Sequence, residues 1–334
     1  MTLRSKRRVA AVAAAIVTAG LLAGCGTPAQ PAGNGAGTES AGGFPLTLEN
    51  PWGTTVLEEQ PKKVAVVTAV DLDIALALGV EPILAGKYAA NDFDPWTQET
   101  LDERGIELET YDSTDGTDYI AIAAAEPDAI LATSGWTLDD DYDKLAEIAP
   151  VVTWGKGQEN IDLTWADRTL LAGKALGLEE RAEEVVSEVE AAFSDAAAAH
   201  PEWQGKTLTY VVMHPSQISY VTYEGSDVSF FTDLGFVLPP NAAEFADENN
   251  AVSIENIDML DSDVLLVGYP FGEEGVLTQT GLESNALFQQ LGAVKDGRYG
   301  ILDDEIASPL AYPTPLSHPW ALDRMVAQFE TIVK

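Results

Sequence analysis

The sequence predicts an α/β protein of two lobes, each with a mostly parallel central sheet, joined by a single long α-helix. Segments typical of buried strands alternate with helical segments through residues 63–176, as expected for β–α units that cover a parallel sheet. The same alternation starts again after Pro201 and continues to the end of the chain. Between the halves lies one long amphipathic segment, Glu179–Ala199, which we predict to connect the lobes.

Residues 1–24 are predicted to be a signal peptide that is removed from the mature protein. Basic residues crowd positions 4–8, and the apolar run over 9–23 is short for a membrane span. The run ends in Leu22-Ala23-Gly24-Cys25, which resembles the lipobox of bacterial lipoproteins and implies cleavage before Cys25 and attachment of lipid to its sulfur. An ordinary secretory signal followed by an incidental cysteine is the alternative.

Residues 25–43 are predicted to be a flexible tether from the lipidated Cys25, because they are rich in Gly, Ala, Pro and Ser. We place the first lobe at 44–177, the connecting helix at 178–200 and the second lobe at 201–334. Cys25 is the single cysteine of the sequence, so the folded body has no disulfide and depends on its core.

The first lobe opens with a predicted β-hairpin over 44–60, with a turn signal at Asn50-Pro51. Five β–α repeats follow it. Their predicted strands are 63–68, 82–85, 107–109, 129–132 and 151–153, and their predicted helices are 71–78, 95–104, 118–125, 139–148 and 163–176.

The connecting helix has apolar residues at every third or fourth position, a spacing that places them on one face. Glu179 and Glu180 lie in its first turn, where the helix dipole favours negative charge, and Pro201 ends it. Its 21 residues reach roughly 30 Å. The alternative that this segment is one more crossover helix within a single domain is not excluded by the sequence. The apolar face consists of Ala182, Val185, Val186, Val189, Phe193 and Ala196.

The second lobe repeats the strand–helix pattern, with glycines such as Gly235 at helix ends. Its predicted strands are 207–213, 218–222, 264–267 and 298–302, and its predicted helices are 227–234, 253–260, 282–291 and 321–333.

The mature chain is strongly acidic. Its 14 Lys and Arg residues against 54 Asp and Glu give a net charge of −40 after the four basic residues of the signal are removed. Nucleic acid and anionic lipid headgroups are therefore poor partners, since binding them requires clustered cations. An anionic ligand is harder to bind here than a neutral or cationic one.

Motifs of hydrolases, zinc enzymes and nucleotide-binding proteins are absent from the sequence. Residues 133–136 (TSGW) do not complete a G-x-S-x-G elbow, and His200, His214 and His318 are widely spaced. Phosphate-cradling glycine loops are missing as well. We expect no enzymatic activity, with a secreted hydrolase that uses Ser134 and a distant histidine as the alternative.

The ends of the predicted strands favour ligand binding, because ligands of open α/β sheets lie at the carboxyl ends of the strands. The residues there are mostly aromatic and carry few charges, which suits a bulky, partly apolar ligand. The predicted ligand-binding residues are Lys87, Tyr88, Trp136, His214, Tyr269, Phe271 and Tyr312.

Several segments, in order along the mature chain, resemble the solute-binding lipoproteins of ABC transporters for iron–siderophore complexes. None is diagnostic alone, but their order and spacing make the match specific. They are 50–55 (NPWGTT), 61–64 (PKKV), 71–79 (DLDIALALG), 122–131 (IAAAEPDAIL), 142–151 (YDKLAEIAPV), 165–177 (WADRTLLAGKALG), 230–238 (FFTDLGFVL), 253–267 (SIENIDMLDSDVLLV) and 313–325 (PTPLSHPWALDRM).

The resemblance implies two lobes joined by one helix, a ligand cleft between them, and one surface glutamate per lobe that meets the permease. In the second lobe, Ser253-Ile254-Glu255 matches the Ser-x-Glu pattern of the family, so the resemblance implies that Glu255 has this docking role. In the first lobe, Ile120 occupies the position where the resemblance leads us to expect the glutamate. The permease contact of this lobe is therefore missing or is supplied by Asp118.

The resemblance further implies a lipid-anchored monomer at the outer face of the cell membrane, which delivers a ferric siderophore to an ABC permease. Iron then travels as part of the ligand, and no resident cofactor or directly bound metal is expected. Because the mature chain has few cations, a hydroxamate or mixed-type siderophore fits better than a catecholate. Haem or cobalamin, with His214 or His318 as an axial ligand, is the nearest alternative.

Overall fold

The computed structural model describes residues 43–87, 92–135, 137–222, 229–245, 250–270 and 275–333. All of them belong to one compact unit of the chain, 39–334. The predicted signal peptide, Cys25 and nearly all of the predicted tether lie outside the described residues, as do Tyr88, Trp136 and Phe271. Within the ranges that the structure describes, no helix is long and apolar enough to cross a membrane.

The first lobe contains a hairpin and a five-stranded sheet. The hairpin pairs β1 (Leu46–Asn50) with β2 (Gly53–Leu57). The sheet has the order β5-β4-β3-β6-β7, and every pairing in it is parallel. Its strands are β3 (Val64–Val66), β4 (Leu84–Lys87), β5 (Thr110–Asp112), β6 (Ala129–Leu131) and β7 (Val151–Val152), and its helices are α1 (Ala69–Ala77), α2 (Pro95–Arg104), α3 (Tyr119–Ala125), α4 (Leu138–Ala146) and α5 (Trp165–Leu176).

The long connecting helix is α6 (Glu179–Ala199), with the bounds that the sequence predicts. Ala182 and Val185 pack into the first-lobe core, whereas Val186, Val189 and Phe193 pack into a core shared with the second lobe. One apolar face therefore serves both lobes. Because the chain forms two separate sheets, α6 is not a crossover helix within a single sheet.

The second lobe has a five-stranded mixed sheet of order β10-β9-β8-β11-β12. Strands β8, β11 and β12 run parallel, and β9 and β10 form an antiparallel edge. The strands are β8 (Leu208–Met213), β9 (Ile218–Val221), β10 (Ala251–Val252), β11 (Val264–Gly268) and β12 (Tyr299–Leu302), and the helices are α7 (Phe230–Asp233), α8 (Gln279–Glu283), α9 (Gly292–Lys295), α10 (Asp304–Ala311) and α11 (Ser317–Ile332).

Two predicted elements are wrong in detail, and two helices are missing from the predictions. The predicted helix 282–291 is broken, because the side chain of Asn285 accepts hydrogen bonds from the backbone N–H groups of Leu287 and Phe288 at 2.8 and 3.2 Å. The predicted strand 107–109 lies three residues later, at Thr110–Asp112. Helices α9 and α10 have no counterpart among the predicted helices, although Asp303 caps α10 by accepting from Ile306 N–H.

Helices α5 and α6 lie close together at Gly173. A Cβ atom at this position would lie 2.3 Å from the Cβ of Ala182 and 3.1 Å from the carbonyl oxygen of Leu178. We expect Gly173→Ala to lower the free energy of unfolding by about 1–3 kcal/mol, since overpacking outweighs the better helix propensity of alanine.

Urea unfolding of single and double variants measures this effect. Adding Ala182→Gly removes the opposing methyl group, so the double variant should recover more stability than the two single changes predict. Strict additivity of the two changes would show that the helices do not meet at this point.

Candidate functional site

A cavity of about 470 Å³ lies between the two lobes. Its first-lobe wall follows the carboxyl ends of four adjacent parallel strands, β3 to β6, where ligands of α/β sheets bind. Its second-lobe wall comes from α10 and the loop that follows it, through Ser308, Tyr312 and Thr314. A cavity of this volume is within the range that holds a small organic ligand.

The predicted ligand-binding residues are distributed unevenly around this cavity. Lys87 and Tyr312 line it. His214 and Tyr269 are not among the described lining residues, and Tyr269 is buried in the second-lobe core. The other three predicted residues, Tyr88, Trp136 and Phe271, lie outside the described residues. The predicted ligand-binding set therefore stays a prediction.

Neither histidine that was considered as an axial ligand lines the cavity. His318 is buried among the rings of Trp165, Phe193 and Phe230, and this burial lowers its pKa to about 3, so it is neutral. His214 follows β8, and its backbone N–H donates to the carbonyl oxygen of Gln217 at 2.9 Å. Burial lowers the pKa of His214 as well.

Ser134 does line the cavity, at the carboxyl end of β6. None of the described lining residues is a histidine, so the hydrolase alternative finds no imidazole base beside Ser134. Across the part of the chain that the structure describes, no group of three or more His, Cys, Asp and Glu residues is placed to hold a metal ion.

The close approach of Tyr111 to Gly86 shapes the first-lobe wall. A Cβ atom on Gly86 would lie 2.7 Å from the Tyr111 hydroxyl oxygen, so only glycine leaves room for this ring. Tyr111 lines the cavity and is 6% exposed, and its hydroxyl has no hydrogen-bond partner within the described residues. Burial raises its pKa, which keeps the hydroxyl protonated as a donor.

A buried polar network supports the floor of the cavity. Asp71 accepts hydrogen bonds from the backbone N–H and the hydroxyl of Thr133, at 2.8 and 2.6 Å. The guanidinium of Arg168 donates to the carbonyl oxygen of Thr133 and, at 2.6 Å, to that of Asn160. Burial raises the pKa of Asp71, while these hydrogen bonds and Arg168 lower it. The network fixes the loop that carries Ser134.

A second buried carboxylate joins the two lobes. Asp73 accepts from Trp96 Nε1 and the Thr97 hydroxyl, both at 2.6 Å, and from the Thr314 hydroxyl at 2.8 Å. Thr314 belongs to the second lobe and the other residues belong to the first. Burial raises the pKa of Asp73 to about 7. Beside this contact, the ring of Trp96 lies edge-on to that of Trp320, with centroids 5.2 Å apart.

Three cavity residues are not at the ends of predicted strands and were therefore not predicted. They are Asp73, Trp96 and Thr314. Asp73 lies within a helix, and Thr314 lies in a loop far along the sequence, so no local pattern joins them. The available signal was the acidic residue inside the otherwise apolar run 71–79, since a charge at a buried helix position needs partners.

Two α/β lobes, one stiff connecting helix and a cavity at the strand ends define a solute-binding protein that holds its ligand between lobes. The chain belongs to the periplasmic binding protein family, whose model matches residues 64–306.

Relatives of known name are similar over most of this chain. The probable siderophore-binding lipoprotein YfiY of Bacillus subtilis is 27% identical over 276 residues, which are 78% of this chain and 81% of that protein. The structure of Streptococcus pneumoniae PiaA in complex with ferrichrome is 29% identical, with a TM-score of 0.68 over 84% of this chain and 96% of that chain. A periplasmic solute binding protein from Mycobacterium smegmatis shares the fold, at 24% identity and a TM-score of 0.72, over 86% of this chain and 99% of that chain.

Proposed function

We propose that this protein is an extracytoplasmic, lipid-anchored binding protein that captures a ferric siderophore and delivers it to an ABC permease for iron uptake. The observation that carries the proposal is the cavity between the lobes, about 470 Å³ in volume and lined by aromatic, hydroxyl and amphipathic side chains. A hydroxamate or mixed-type siderophore is favoured, because Lys87 is the single basic residue among the described lining residues. Iron is the cargo and not a resident cofactor.

The relatives support this proposal. PiaA holds ferrichrome in its structure, and YfiY carries the name of a siderophore-binding lipoprotein. The lipobox at Cys25 supports the lipid anchor at the cell membrane. Haem or cobalamin binding is less favoured, since neither His214 nor His318 lines the cavity.

Ligand titration tests the proposal. Trp96 lines the cavity, so tryptophan fluorescence of the mature protein should report binding. We expect quenching by ferric hydroxamates with a dissociation constant at or below about 1 µM. The same titration with a ferric catecholate, haem and cobalamin compares the ligand classes. If none of the iron complexes binds below roughly 10 µM, the siderophore function is refuted.

Permease docking is proposed for Glu255, which is exposed in the first turn of a 3₁₀ helix, Ile254–Leu260. Its backbone N–H donates to the hydroxyl oxygen of Ser253 at 3.3 Å, which fixes the start of the helix. In the first lobe, Asp118 caps α3 by accepting from the N–H groups of Ile120 and Ala121, and the Ile120 side chain is 83% exposed. Asp118 is the proposed acid of this lobe.

We predict that Glu255→Ala lowers iron uptake in cells by about tenfold, because removing one partner of an interfacial ion pair leaves the other charge unpaired. The dissociation constant for the siderophore should not change, since Glu255 is absent from the described cavity lining. Asp258→Asn, an exposed change on the same 3₁₀ helix, is the matched control. Equal uptake by both variants would contradict the docking role.

A further inference from the structure

The charges that line the cavity are unbalanced. Four acidic side chains, those of Asp73, Asp92, Asp94 and Asp141, line the cavity with one ammonium group, that of Lys87. Even without Asp73, whose pKa burial raises to about 7, the acids outnumber the ammonium group. Lys87 Nζ lies 5.1 Å from the centre of the Phe93 ring, so an aromatic face already contacts this cation. The cavity is therefore a site of negative potential inside a protein that is itself strongly acidic.

The internal segments outside the described residues add no basic residue to the excess of acids over Lys87. Five internal segments of the sequence lie outside the described residues, and none of them contains Lys or Arg. They are 88–91, 136, 223–228, 246–249 and 271–274. Their acidic residues number six, Glu224, Asp227, Asp247, Glu248, Glu273 and Glu274. None of these five segments can therefore supply a cation to an anionic ligand.

Two of the four carboxylates already have partners. Asp73 accepts three hydrogen bonds from Trp96, Thr97 and Thr314. Asp141 accepts from the hydroxyl groups of Thr117, Tyr119 and Thr137. These two acids help to hold the walls together and have little capacity left for a ligand.

The other two, Asp92 and Asp94, flank Phe93 and accept no side-chain hydrogen bond within the described residues. Burial raises the pKa of Asp94, and no donor offsets that penalty. A second lining group also has an unused hydrogen-bonding capacity, the buried hydroxyl of Tyr111. The lining thus includes two carboxylate acceptors, Asp92 and Asp94, and the buried Tyr111 hydroxyl, none of which has a side-chain hydrogen-bond partner within the described residues.

We propose that the cavity selects a ferric siderophore that carries a protonated amine, with the ammonium group bound by Asp92 and Asp94. The inference rests on the proposed siderophore function and names the charge class within it. An ammonium group offers the N–H donors that both carboxylates lack, and charge-assisted hydrogen bonds of this kind are the strong ones. Negative potential in a cleft also speeds the association of a cation and slows that of an anion.

Three ligands with the same ferric tris-hydroxamate core test the proposal. Ferrioxamine B carries a pendant ammonium group, its N-acetyl derivative is neutral, and its N-succinyl derivative carries a carboxylate. We expect dissociation constants to rise in that order, with about tenfold between the first two at low ionic strength. High salt should narrow the difference, since mobile ions screen exposed charges.

The double variant Asp92→Asn/Asp94→Asn locates the selecting groups. It should lose the preference for ferrioxamine B over the N-acetyl derivative, and its circular dichroism spectrum and melting temperature show whether it is folded. Asp195→Asn/Asp323→Asn, at two exposed helical positions away from the described cavity lining, changes the net charge equally and should keep the preference.

The outcomes separate the two proposals. Equal affinity of the wild-type protein for all three ligands overturns the charge selection and leaves the siderophore function standing. Retention of the preference in Asp92→Asn/Asp94→Asn overturns the assignment to these two residues. If none of the three ligands binds, the hydroxamate function itself fails.

Discussion

Val189→Asp is expected to lower the free energy of unfolding by about 3–5 kcal/mol, because it places a charge where the chain buries an apolar face. Val189 is 4% exposed, and it packs into the core that α6 shares with the second lobe. The residues of that core are aliphatic and aromatic, so the new carboxylate would lie in apolar surroundings. The melting temperature should fall by roughly 10 °C for a domain of this size.

Ala191→Asp is the matched control, since it adds the same charge to the same helix at an exposed position. It should cost about 0.7 kcal/mol, the difference in helix propensity between alanine and aspartate. Thermal unfolding followed by circular dichroism measures both variants. Equal melting temperatures for the two would show that the apolar face of α6 does not hold the lobes.

Asp73→Asn is expected to remove a pH dependence of stability. The pKa of Asp73 is 3.8 in the unfolded chain and about 7 in the folded one, because burial penalises the carboxylate. Between pH 4 and 7 the folded state therefore binds more protons, and the free energy of unfolding falls as the pH rises. The slope is about 1.4 kcal/mol per pH unit, on the order of 4 kcal/mol over the whole range.

The amide of the Asp73→Asn variant resembles the protonated acid. Its oxygen can accept from Trp96 and Thr314, and its NH₂ group can donate to the Thr97 hydroxyl, which is free to turn. Urea unfolding at a series of pH values should give a shallower slope than in the wild-type protein. Asp71, whose pKa burial also raises, contributes a slope of the same sign that remains in the variant. Parallel curves for the variant and the wild-type protein would contradict the assignment.

The connecting helix shows what periodicity predicts well. Its bounds and its buried face both follow from apolar spacing, and the acidic first turn and Pro201 mark its ends. The segment 282–291 has a similar apolar content but is not one helix. A single side chain, that of Asn285, competes for the backbone N–H groups there, and such local competition leaves no periodic signal.

The cavity was predictable only in part. Lys87 and Tyr312 are predicted because they follow the predicted strands 82–85 and 298–302, and such strands are a property of the local sequence. The bond between Asp73 and Thr314 joins residues 241 positions apart, so it depends on how the two lobes meet. No local sequence pattern predicts a contact between residues so far apart in the chain. The position of Asp92 and Asp94 in the cavity lining likewise depends on how the cavity wall is assembled.

We propose that the cavity between the lobes holds a ferric siderophore, and the position of the iron atom tests this directly. Crystals grown with ferrioxamine B, measured on both sides of the iron absorption edge, locate the iron atom directly. We expect one strong anomalous peak inside the cavity, between the first-lobe wall at Lys87 and the second-lobe wall at Tyr312. An anomalous peak elsewhere on the protein, or none in crystals of protein saturated by titration, would contradict it.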